Sequence, residues 1–436
     1  MSAIVTQVEQ QIKPYYQAKQ ILVGLSGGLD SVVLLHILQK LKLPAKLAAI
    51  HVNHHLHPDA DKWAYFCETF CQGLQLVCHQ KDIVLGASLH NLEARAREKR
   101  YQCFRQFIDE NTLLMTAHHR DDQLETVLLQ LFRGAGAAGL AAMPMAKSFA
   151  EGMHLRPLLN CSRAQIKAYA QTHGLRWMED SSNLQTEFTR NFLRHEIIPQ
   201  LTQRWPGIAN TVGRVARHQA QMQSLLTQLA QIDYAQVKTQ AKNKINLIPL
   251  LTLDPLRQKN LLRYFLQINN VTLLNEKKLE TLLMQLNQAK ADKNPVVSWQ
   301  SYSLRRYEKT LFLLTKADLI QPTQSLDWQD LTKALILPND LGHLMTTRQA
   351  GQGLKLTAKQ KVKVAFRRGG EIIAINNRGR RPLKKLLQEW HVPTWQRGRI
   401  PLIFIDDELA QVVGHAIAKK FLTKSDEAGW VVDWNN

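Results

Sequence analysis

Residues 21–31 read ILVGLSGGLDS, and this stretch decides the fold. Its apolar first half predicts a buried strand, and apolar residues at helical spacing through Leu41 predict a helix after it. The two glycines between these elements allow the backbone to turn its N–H groups toward an anion. The helix N-terminus adds a partial positive charge, and the two serines add hydroxyl donors. The stretch therefore predicts a strand, a phosphate-binding loop and a helix.

Asp30 is the unexpected member of this loop, because a carboxylate repels phosphate. Its presence is explained if it holds a Mg²⁺ ion that bridges the phosphates. The pattern G-x-x-x-x-G-K-[ST] is absent, which excludes a P-loop kinase or GTPase. A tight glycine turn followed by an Asp/Ser helix cap is the purely structural alternative. The residues expected to bind the nucleotide phosphates are Ser26, Gly27, Gly28, Leu29, Asp30 and Ser31.

Further strand and helix signals alternate through the first ~200 residues. The predicted strands lie at 21–25, 47–52, 76–80 and 113–117, and the predicted helices at 31–41, 63–74, 92–110 and 122–133. This alternation is typical of an α/β fold with a parallel sheet covered by helices on both faces. Ligands of such folds bind beyond the carboxyl ends of the strands.

The chain has 436 residues, which exceeds the size of a single hydrophobic core and predicts more than one domain. After residue 205 the strand signals stop, and long amphipathic patterns predict helices at 208–232, 254–268 and 276–289, followed by a hairpin at 298–314. We therefore expect an α/β catalytic domain at 1–206, a mainly helical domain at 207–315, a linker at 316–333 and a small α+β domain at 334–436.

The charge balance points to a polyanionic partner. Lys and Arg number 56 against 36 acidic residues, which makes the net charge +20. No apolar run approaches the roughly 20 residues of a membrane helix, and the first residues lack the pattern of a signal peptide. We expect a cytoplasmic protein with no membrane partner. The five cysteines form no Cys-x-x-Cys pair, so we expect them to be reduced and structural.

A second cluster of mostly polar residues, TAHHRDDQLET, lies at the end of the predicted fourth strand in the segment 116–126. Its acids, Asp121, Asp122 and Glu125, are candidates for holding metal, binding an ammonium group or accepting a proton. His118 and His119 are expected to contact the nucleotide phosphate or base. A zinc pair formed by these histidines is less favoured, because no further ligand lies at a suitable spacing.

Three arginine-rich segments add candidate anion contacts. Arg97 and Arg100 lie on a predicted helix, where Arg97 is one turn from both Glu93 and Tyr101. Arg190 and Arg194 are also one turn apart, so both can address one phosphate or carboxylate. A solvated helix face or surface salt bridges are the structural alternatives. The candidate substrate and tRNA contacts are Arg100, Arg156, Asp180, Asn183, Arg190 and Arg194, and Arg97 is a candidate catalytic residue.

The strongest concentration of charge lies near the carboxyl end. Residues 361–399 carry eleven Lys or Arg against two acids, with Trp390 and Trp395 close behind the densest part. Clustered guanidinium groups with aromatic side chains suit RNA. The candidate RNA contacts here are Arg378, Arg380, Arg381, Lys384 and Lys385.

Together these segments resemble the tRNA(Ile)-lysidine synthetase family, a branch of the N-type ATP pyrophosphatases in the PP-loop superfamily. The matching segments, in order, are Ser26–Ser31, Asn91–Tyr101, His118–Thr126, Arg133–Leu140, Arg156–Leu159, Asp180–Asn183 and Arg190–Arg194. The basic carboxyl-terminal segment resembles the tRNA-binding domain of the bacterial three-domain form. One departure is His55, where the family usually has glycine, which puts the geometry of that turn in question.

The resemblance implies an ATP-dependent carbon–nitrogen ligase that releases AMP and pyrophosphate. It implies that free L-lysine is joined to C2 of the wobble cytidine in the CAU anticodon of tRNA(Ile), through an adenylated cytidine. It also implies ATP and Mg²⁺ as cofactors, and it allows a homodimer. Two alternatives remain: a cytidine-thiolating PP-loop relative, which would be expected to carry paired cysteines, and a non-catalytic basic RNA-binding protein.

Overall fold

The computed structural model describes residues 2–55, 57–84, 92–179, 187, 189–288, 294–357, 359–376 and 379–435, without the side chain of Glu93. The chain divides into two compact units, residues 1–226 (unit 1) and 227–436 (unit 2). Three candidate site residues lie outside the described residues, namely Asp180, Asn183 and Arg378, as does Asn91, the first residue of a matching segment. No helix in the described ranges is long and apolar enough to cross a membrane.

Unit 1 is built on a six-stranded sheet of order β3-β2-β1-β4-β6-β5. Its strands are β1 Gln20–Gly24, β2 Lys46–Asn53, β3 Val77–Asp82, β4 Thr112–Met115, β5 Ala146–Phe149 and β6 Gly152–Leu155. All neighbouring strands are parallel except β5 and β6, which form an edge hairpin. The predicted parallel sheet is therefore confirmed. The hairpin was not predicted, because polar residues such as Lys147 and His154 interrupt its short apolar runs.

Helices cover both faces of this sheet. They are α1 Ala3–Ile12, α2 Leu29–Leu41, α3 Ala60–Gly73, α4 Leu92–Arg105, α5 Arg120–Phe132, α6 Ala137–Leu140, α7 Arg163–Thr172, α8 Thr189–Phe192 and α9 Ile198–Arg204. Residues from α1, α2, α3 and α7 pack with Val23 and Met115 in one core. On the opposite face, Phe104 of α4 packs with Leu22 and Leu114. Burial on both faces explains why the central strands are almost wholly apolar.

The 30-residue helix α10, Ile208–Val237, runs from unit 1 into unit 2. The next elements of unit 2 are β7 Lys244–Asn246, α11 Leu247–Thr252, α12 Pro255–Ile268, α13 Glu276–Gln288, β8 Val296–Trp299, β9 Tyr302–Tyr307 and β10 Thr310–Thr315. The predicted hairpin is part of a four-stranded antiparallel sheet of order β7-β10-β9-β8. Its buried residues, including Leu304 and Leu311, pack against Phe265 and Leu282 of the helices.

The remaining elements of unit 2 are mostly short strands. They are α14 Lys316–Leu319, β11 Leu326–Asp327, β12 Leu335–Ile336, β13 His343–Ala350, β14 Val362–Ala365, β15 Ile372–Ile375, β16 Gly379–Pro382, α15 Leu383–Glu389, β17 Leu402–Ile405, β18 Glu408–Val412, β19 Ala416–Ile417 and β20 Ala428–Asn435. The expected linker, 316–333, contributes α14 and β11, and β11 pairs with β14. Trp328 within it is only 3% exposed, because its apolar ring joins the core of this part of the unit.

Candidate active site

The loop between β1 and α2 is held by its own serines. Ser31 Oγ accepts a hydrogen bond from Ser26 N at 3.2 Å and donates one to Gly28 O at 3.0 Å. Met178 N donates to Gly27 O at 2.9 Å, which fixes the outer side of the loop. No described side chain caps the first turn of α2. The N–H groups of that turn and the helix dipole are therefore placed to bind phosphate.

Gly27 is the glycine that this loop requires. Its φ of +83° lies in the left-handed region, and a Cβ there would approach Cys67 Sγ to 3.2 Å. We expect Gly27→Ala to lower the free energy of unfolding by about 1–2 kcal/mol and to raise the KM for ATP, because the loop must shift. Chemical denaturation and initial-rate kinetics test this. Gly73→Ala is the matched control, since no atom of the described residues lies within 4 Å of its added Cβ, and an equal effect of both variants would contradict the prediction.

Asp30 lies in the first turn of α2 and faces the second cluster. Its Oδ2 is 3.7 Å from His119 Nε2, while Oδ1 is buried and has no hydrogen-bond partner among the described residues. Burial raises the pKa of the Asp30 carboxyl; His119 opposes this rise and the neighbouring Asp122 adds to it. A buried oxygen without a partner is costly, so this atom is a candidate ligand for a cation.

His119 caps helix α5. The ring Nδ1 of His119 accepts a hydrogen bond from Asp121 N at 3.2 Å, and the backbone N–H of His119 donates to Asp122 Oδ2 at 3.0 Å. The proton of the neutral ring therefore lies on Nε2, 3.4 Å from Asp122 Oδ2 and on the side of Asp30. Although burial lowers the pKa of His119, the surrounding carboxylates raise it above its usual value.

Asp121 serves mainly as a structural connection in this geometry. Its Oδ2 accepts a hydrogen bond from Arg163 N at 2.9 Å, at the start of α7. Although burial of Asp121 opposes ionisation, the His119 imidazole 3.5 Å away and the hydrogen bond from Arg163 N lower the pKa of Asp121 to about 2. Asp121 therefore stays ionised and ties the N-termini of α5 and α7 together.

Arg190 and Arg194 converge on the other two acids of the cluster. Glu125, 2% exposed, accepts from Arg190 Nε at 2.7 Å and from Arg194 Nε at 2.6 Å. Both guanidinium groups also reach Asp122 Oδ1, at 3.2 and 3.3 Å. Burial raises the pKa of Asp122, but His119 and Arg190 outweigh it and keep the carboxyl ionised. Glu125 is thus fully engaged in ion pairs.

Three cations, Arg97, Lys147 and Arg156, lie near Tyr101, and Arg156 and Arg97 are close enough to His118 to lower its pKa. Arg97 and Lys147 both lie over the Tyr101 ring, and Arg156 is almost fully buried. His118 itself hydrogen-bonds Thr116 Oγ1 at 2.8 Å. Lys147, Thr116 and His154 were not predicted as site residues. The hairpin that carries Lys147 and His154 has no recognisable sequence pattern.

Arg100 lies beside the carboxyl end of β2, next to His54. Its Nη2 donates to His54 Nε2 at 2.6 Å, and burial together with this arginine lowers the pKa of His54 to about 4. The next residue, His55, has a φ of +52°, which explains why glycine suits this position. In this chain the position holds a histidine, and a hydrogen bond between its Nε2 and Asp82 Oδ1, at 2.9 Å, stabilises the side chain.

The basic residues of the carboxyl-terminal part lie on an exposed surface. Leu383, Leu386 and Leu387 bury one side of α15, which leaves its lysines on the other side. The exposed candidates described here are Arg380, Arg381, Lys384 and Lys385. Arg381 lies 3.8 Å from Glu389, a surface pair that contributes little. Close to them, Trp390 stacks on His415 with ring centroids 4.9 Å apart.

Comparison with known proteins assigns the parts of the chain. A PP-loop domain model matches residues 1–201, a TilS substrate binding domain model matches 246–312, and a TilS substrate C-terminal domain model matches 362–434. A tRNA(Ile)-lysidine synthase from Coxiella burnetii is 40% identical over 418 residues, covering 94% of this chain and 92% of that protein. The enzymes of that name from Legionella pneumophila strain Lens and from Pseudomonas aeruginosa are 39% and 38% identical, covering 95% and 98% of this chain and 96% of each relative.

Proposed function

The chain belongs to the tRNA(Ile)-lysidine synthase family of ATP-dependent ligases, and from this we propose how its residues form lysidine on tRNA(Ile). Neither cytidine thiolation nor non-catalytic RNA binding is supported by these relatives. The proposed reaction joins free L-lysine to C2 of the wobble cytidine of the CAU anticodon. This changes the codon that is read from AUG to AUA and the amino acid from methionine to isoleucine.

In the first step, the loop Ser26–Ser31 and the N-terminus of α2 hold the phosphates of ATP. The cytosine O2 attacks the α phosphorus, the α–β phosphoanhydride bond breaks, and pyrophosphate leaves. The observation that carries this step is the uncapped first turn of α2 beside two serine hydroxyls. Backbone N–H groups in such a position stabilise the charge that develops on the phosphate oxygens.

We propose that Asp30 is the protein ligand of Mg²⁺. The buried Oδ1 of Asp30, which has no hydrogen-bond partner among the described residues, fits such an ion, and Mg²⁺ usually needs only one or two carboxylates besides phosphate and water. The described residues contain no group of three or more His, Cys, Asp or Glu arranged for a metal ion, which suits an ion held largely by substrate. When bound, Mg²⁺ would neutralise charge on the phosphates.

In the second step, the lysine ε-amine attacks C2 of the adenylated cytidine, and AMP leaves with the former O2 oxygen. The amine, with an ordinary pKa near ~10.4, must first lose a proton. We propose that Asp122, kept ionised by His119 and Arg190, attracts the ε-ammonium group. Asp121 and Glu125 then act as positioning residues, because their oxygens are already engaged by Arg163 N and by two arginines.

The proposal is tested by transfer of radiolabelled lysine to a tRNA(Ile) transcript with a CAU anticodon, in the presence of ATP and Mg²⁺. We expect label on this tRNA, one AMP released for each lysine joined, and no label on a methionine tRNA. AMP formation without label would show that the nucleophile is not lysine. A cytoplasmic location and a homodimer are further proposals, tested by cell fractionation and sedimentation equilibrium.

We propose that the exposed face of α15 and β16 binds the tRNA backbone, because four cations are presented there beside an aromatic pair. We expect the double variant Lys384→Gln/Lys385→Gln to weaken tRNA binding. The slope of log affinity against log salt concentration should fall by about 1 for each lost phosphate contact. Binding titrations at several salt concentrations measure this.

Lys333→Gln is the control for this surface, since it removes a positive charge that lies outside α15 and β16, 3.5 Å from Asp330. An unchanged salt slope in the double variant would contradict the assignment of this face. If the Lys333→Gln control reduces the salt slope by the same amount, overall charge and not this surface sets the affinity.

A further inference from the structure

Three of the five cysteines lie together where α3 packs against the edge of the unit 1 sheet. Cys67 and Cys71 are one turn apart on α3 and are fully buried, while Cys78 lies on the edge strand β3 and is half-buried. All three pack in the same apolar core, and all five cysteines of the chain are free thiols. The reaction proposed above uses none of them.

The thiols of Cys71 and Cys78 are in direct contact. Helix α3 ends at Gly73, and the turn that follows is closed by Leu76 N, which donates to Cys71 O at 2.9 Å. This turn returns the chain to β3 beside the last turn of the helix, where the Cys71 thiol donates a hydrogen bond to the Cys78 sulfur. Two hydrogen-bonded sulfur atoms can form a disulfide with a small movement, because its sulfur–sulfur bond is about 2.0 Å long.

The two thiols of this pair differ in reactivity. The hydrogen bond from Cys71 lowers the pKa of the Cys78 thiol, against the opposing effects of burial and of the nearby Glu68 carboxylate. The same hydrogen bond and burial raise the pKa of the Cys71 thiol, so Cys71 stays protonated. The thiolate is the nucleophilic form of cysteine, and redox-sensitive cysteines combine a lowered pKa, some exposure and a neighbouring second thiol. Cys78 meets these three conditions, and Cys71 is its second thiol.

The first cysteine of α3 connects this pair to the phosphate loop. Cys67 Sγ lies 3.4 Å from His51 Nδ1, and the same nitrogen lies 2.9 Å from Leu25 O, immediately before the loop. A Cβ added at Gly27 would approach Cys67 Sγ to 3.2 Å, so the helix packs directly on the loop backbone. Close-packed protein interiors have low compressibility and transmit strain. A shift of the last turns of α3 therefore reaches the loop that is placed to bind the phosphates of ATP.

We propose that Cys71 and Cys78 form a peroxide-sensitive thiol pair whose disulfide weakens ATP binding. The Cys78 thiolate attacks one oxygen of hydrogen peroxide, the oxygen–oxygen bond breaks, and the other oxygen leaves as hydroxide, which takes up the proton lost by Cys78. The Cys71 sulfur then attacks the sulfenic acid on Cys78, the sulfur–oxygen bond breaks, and its oxygen leaves as water with the proton of Cys71. Both sulfurs are oxidised and the peroxide is reduced to water. Closure draws the last turn of α3 toward β3 and moves Cys67 against Gly27, and an added dithiol reverses it.

The test follows the thiols and ATP binding of the full chain after treatment with hydrogen peroxide. We expect the wild type to lose two free thiols, and peptide mass mapping to identify a disulfide between Cys71 and Cys78. In Cys71→Ser the second thiol is missing, so dimedone should trap the sulfenic acid on Cys78. Calorimetric titration should show that oxidation raises the Kd for ATP about tenfold in the wild type and that dithiothreitol restores it. The Kd of Cys78→Ser should not respond to peroxide.

Cys103→Ser is the matched control, because Cys103 is also half-buried but lies on α4, on the opposite face of the sheet. We expect it to oxidise like the wild type. A disulfide between other cysteines would overturn the proposed pair, as would dimedone labelling of Cys103 as fast as that of Cys78. A disulfide between Cys71 and Cys78 that leaves the Kd for ATP unchanged would overturn its effect on the loop. Failure of the untreated wild type to join lysine to tRNA would instead refute the proposed function, since none of these measurements uses that reaction.

Discussion

Asp30→Asn is expected to reduce tRNA-dependent release of AMP and pyrophosphate by at least ~100-fold, a loss typical of removing one preorganised electrostatic group. The substitution keeps the shape of the side chain and removes its charge. It should therefore weaken binding of Mg²⁺ by Asp30, whose Oδ1 has no hydrogen-bond partner in the part of the chain that the structure describes. Single-turnover measurements of pyrophosphate release, at a series of Mg²⁺ concentrations, test this directly.

The control for this variant is Asp61→Asn, whose side chain is 85% exposed and lies outside the loop. We expect it to retain nearly full activity. Binding of tRNA should be unchanged in both variants, because the loss concerns the phosphates of ATP. If Asp30→Asn keeps full activity at the Mg²⁺ concentration that saturates the wild type, the metal assignment is wrong.

Glu125→Ala is expected to lower the free energy of unfolding of unit 1 by about 3 kcal/mol, which is the lower end of the range for breaking a buried ion pair. The lower end applies because Arg190 and Arg194 keep 30% and 23% of their side-chain surface exposed. Among the described residues, Asp122 is then the remaining acidic ion-pair partner of these two guanidinium groups. Denaturant titration followed by far-ultraviolet circular dichroism measures the change.

Glu98→Ala is the control, since Glu98 is exposed and its carboxylate accepts a long hydrogen bond from Gln102 Nε2 at 3.4 Å. The double variant Glu125→Ala/Arg190→Ala should be less destabilised than the sum of the two single variants, because the residues form one network. A loss below 1 kcal/mol in Glu125→Ala would refute the structural role. If Glu125→Gln restores stability while activity stays low, the charge of Glu125 also acts in the reaction.

His118 and His119 show how much of the site can be predicted from local sequence. Both were predicted to contact the nucleotide from their place after a strand. Only His119 turns toward Asp30 and Asp122, while His118 turns toward Thr116. Neighbouring residues on an extended backbone point to opposite sides, so adjacency in sequence separates them in space. Nothing in the sequence alone indicated which side faces the loop.

Arg190 and Arg194 show a second limit of prediction from local sequence. Their spacing of four residues predicted that Arg190 and Arg194 address one group, and in the structure both reach Glu125. The identity of that group could not be predicted, because Glu125 lies more than sixty residues earlier in the chain. Helical periodicity is a local property, whereas the partner depends on how α5 and the 189–197 segment pack together.

The sequence by itself determined the parallel sheet, the phosphate loop at Ser26–Ser31 and the basic segment, since each depends on residues close together in the chain. Only the tertiary structure decided which acids are already engaged and which cations lack a counter-ion. Asp121 and Glu125 are bound by partners remote in sequence, whereas Asp30 and Arg156 each keep a buried atom that has no hydrogen-bond partner within the described ranges. Charge and burial are set jointly by strands and helices remote in sequence, so these properties exist only once the chain has folded.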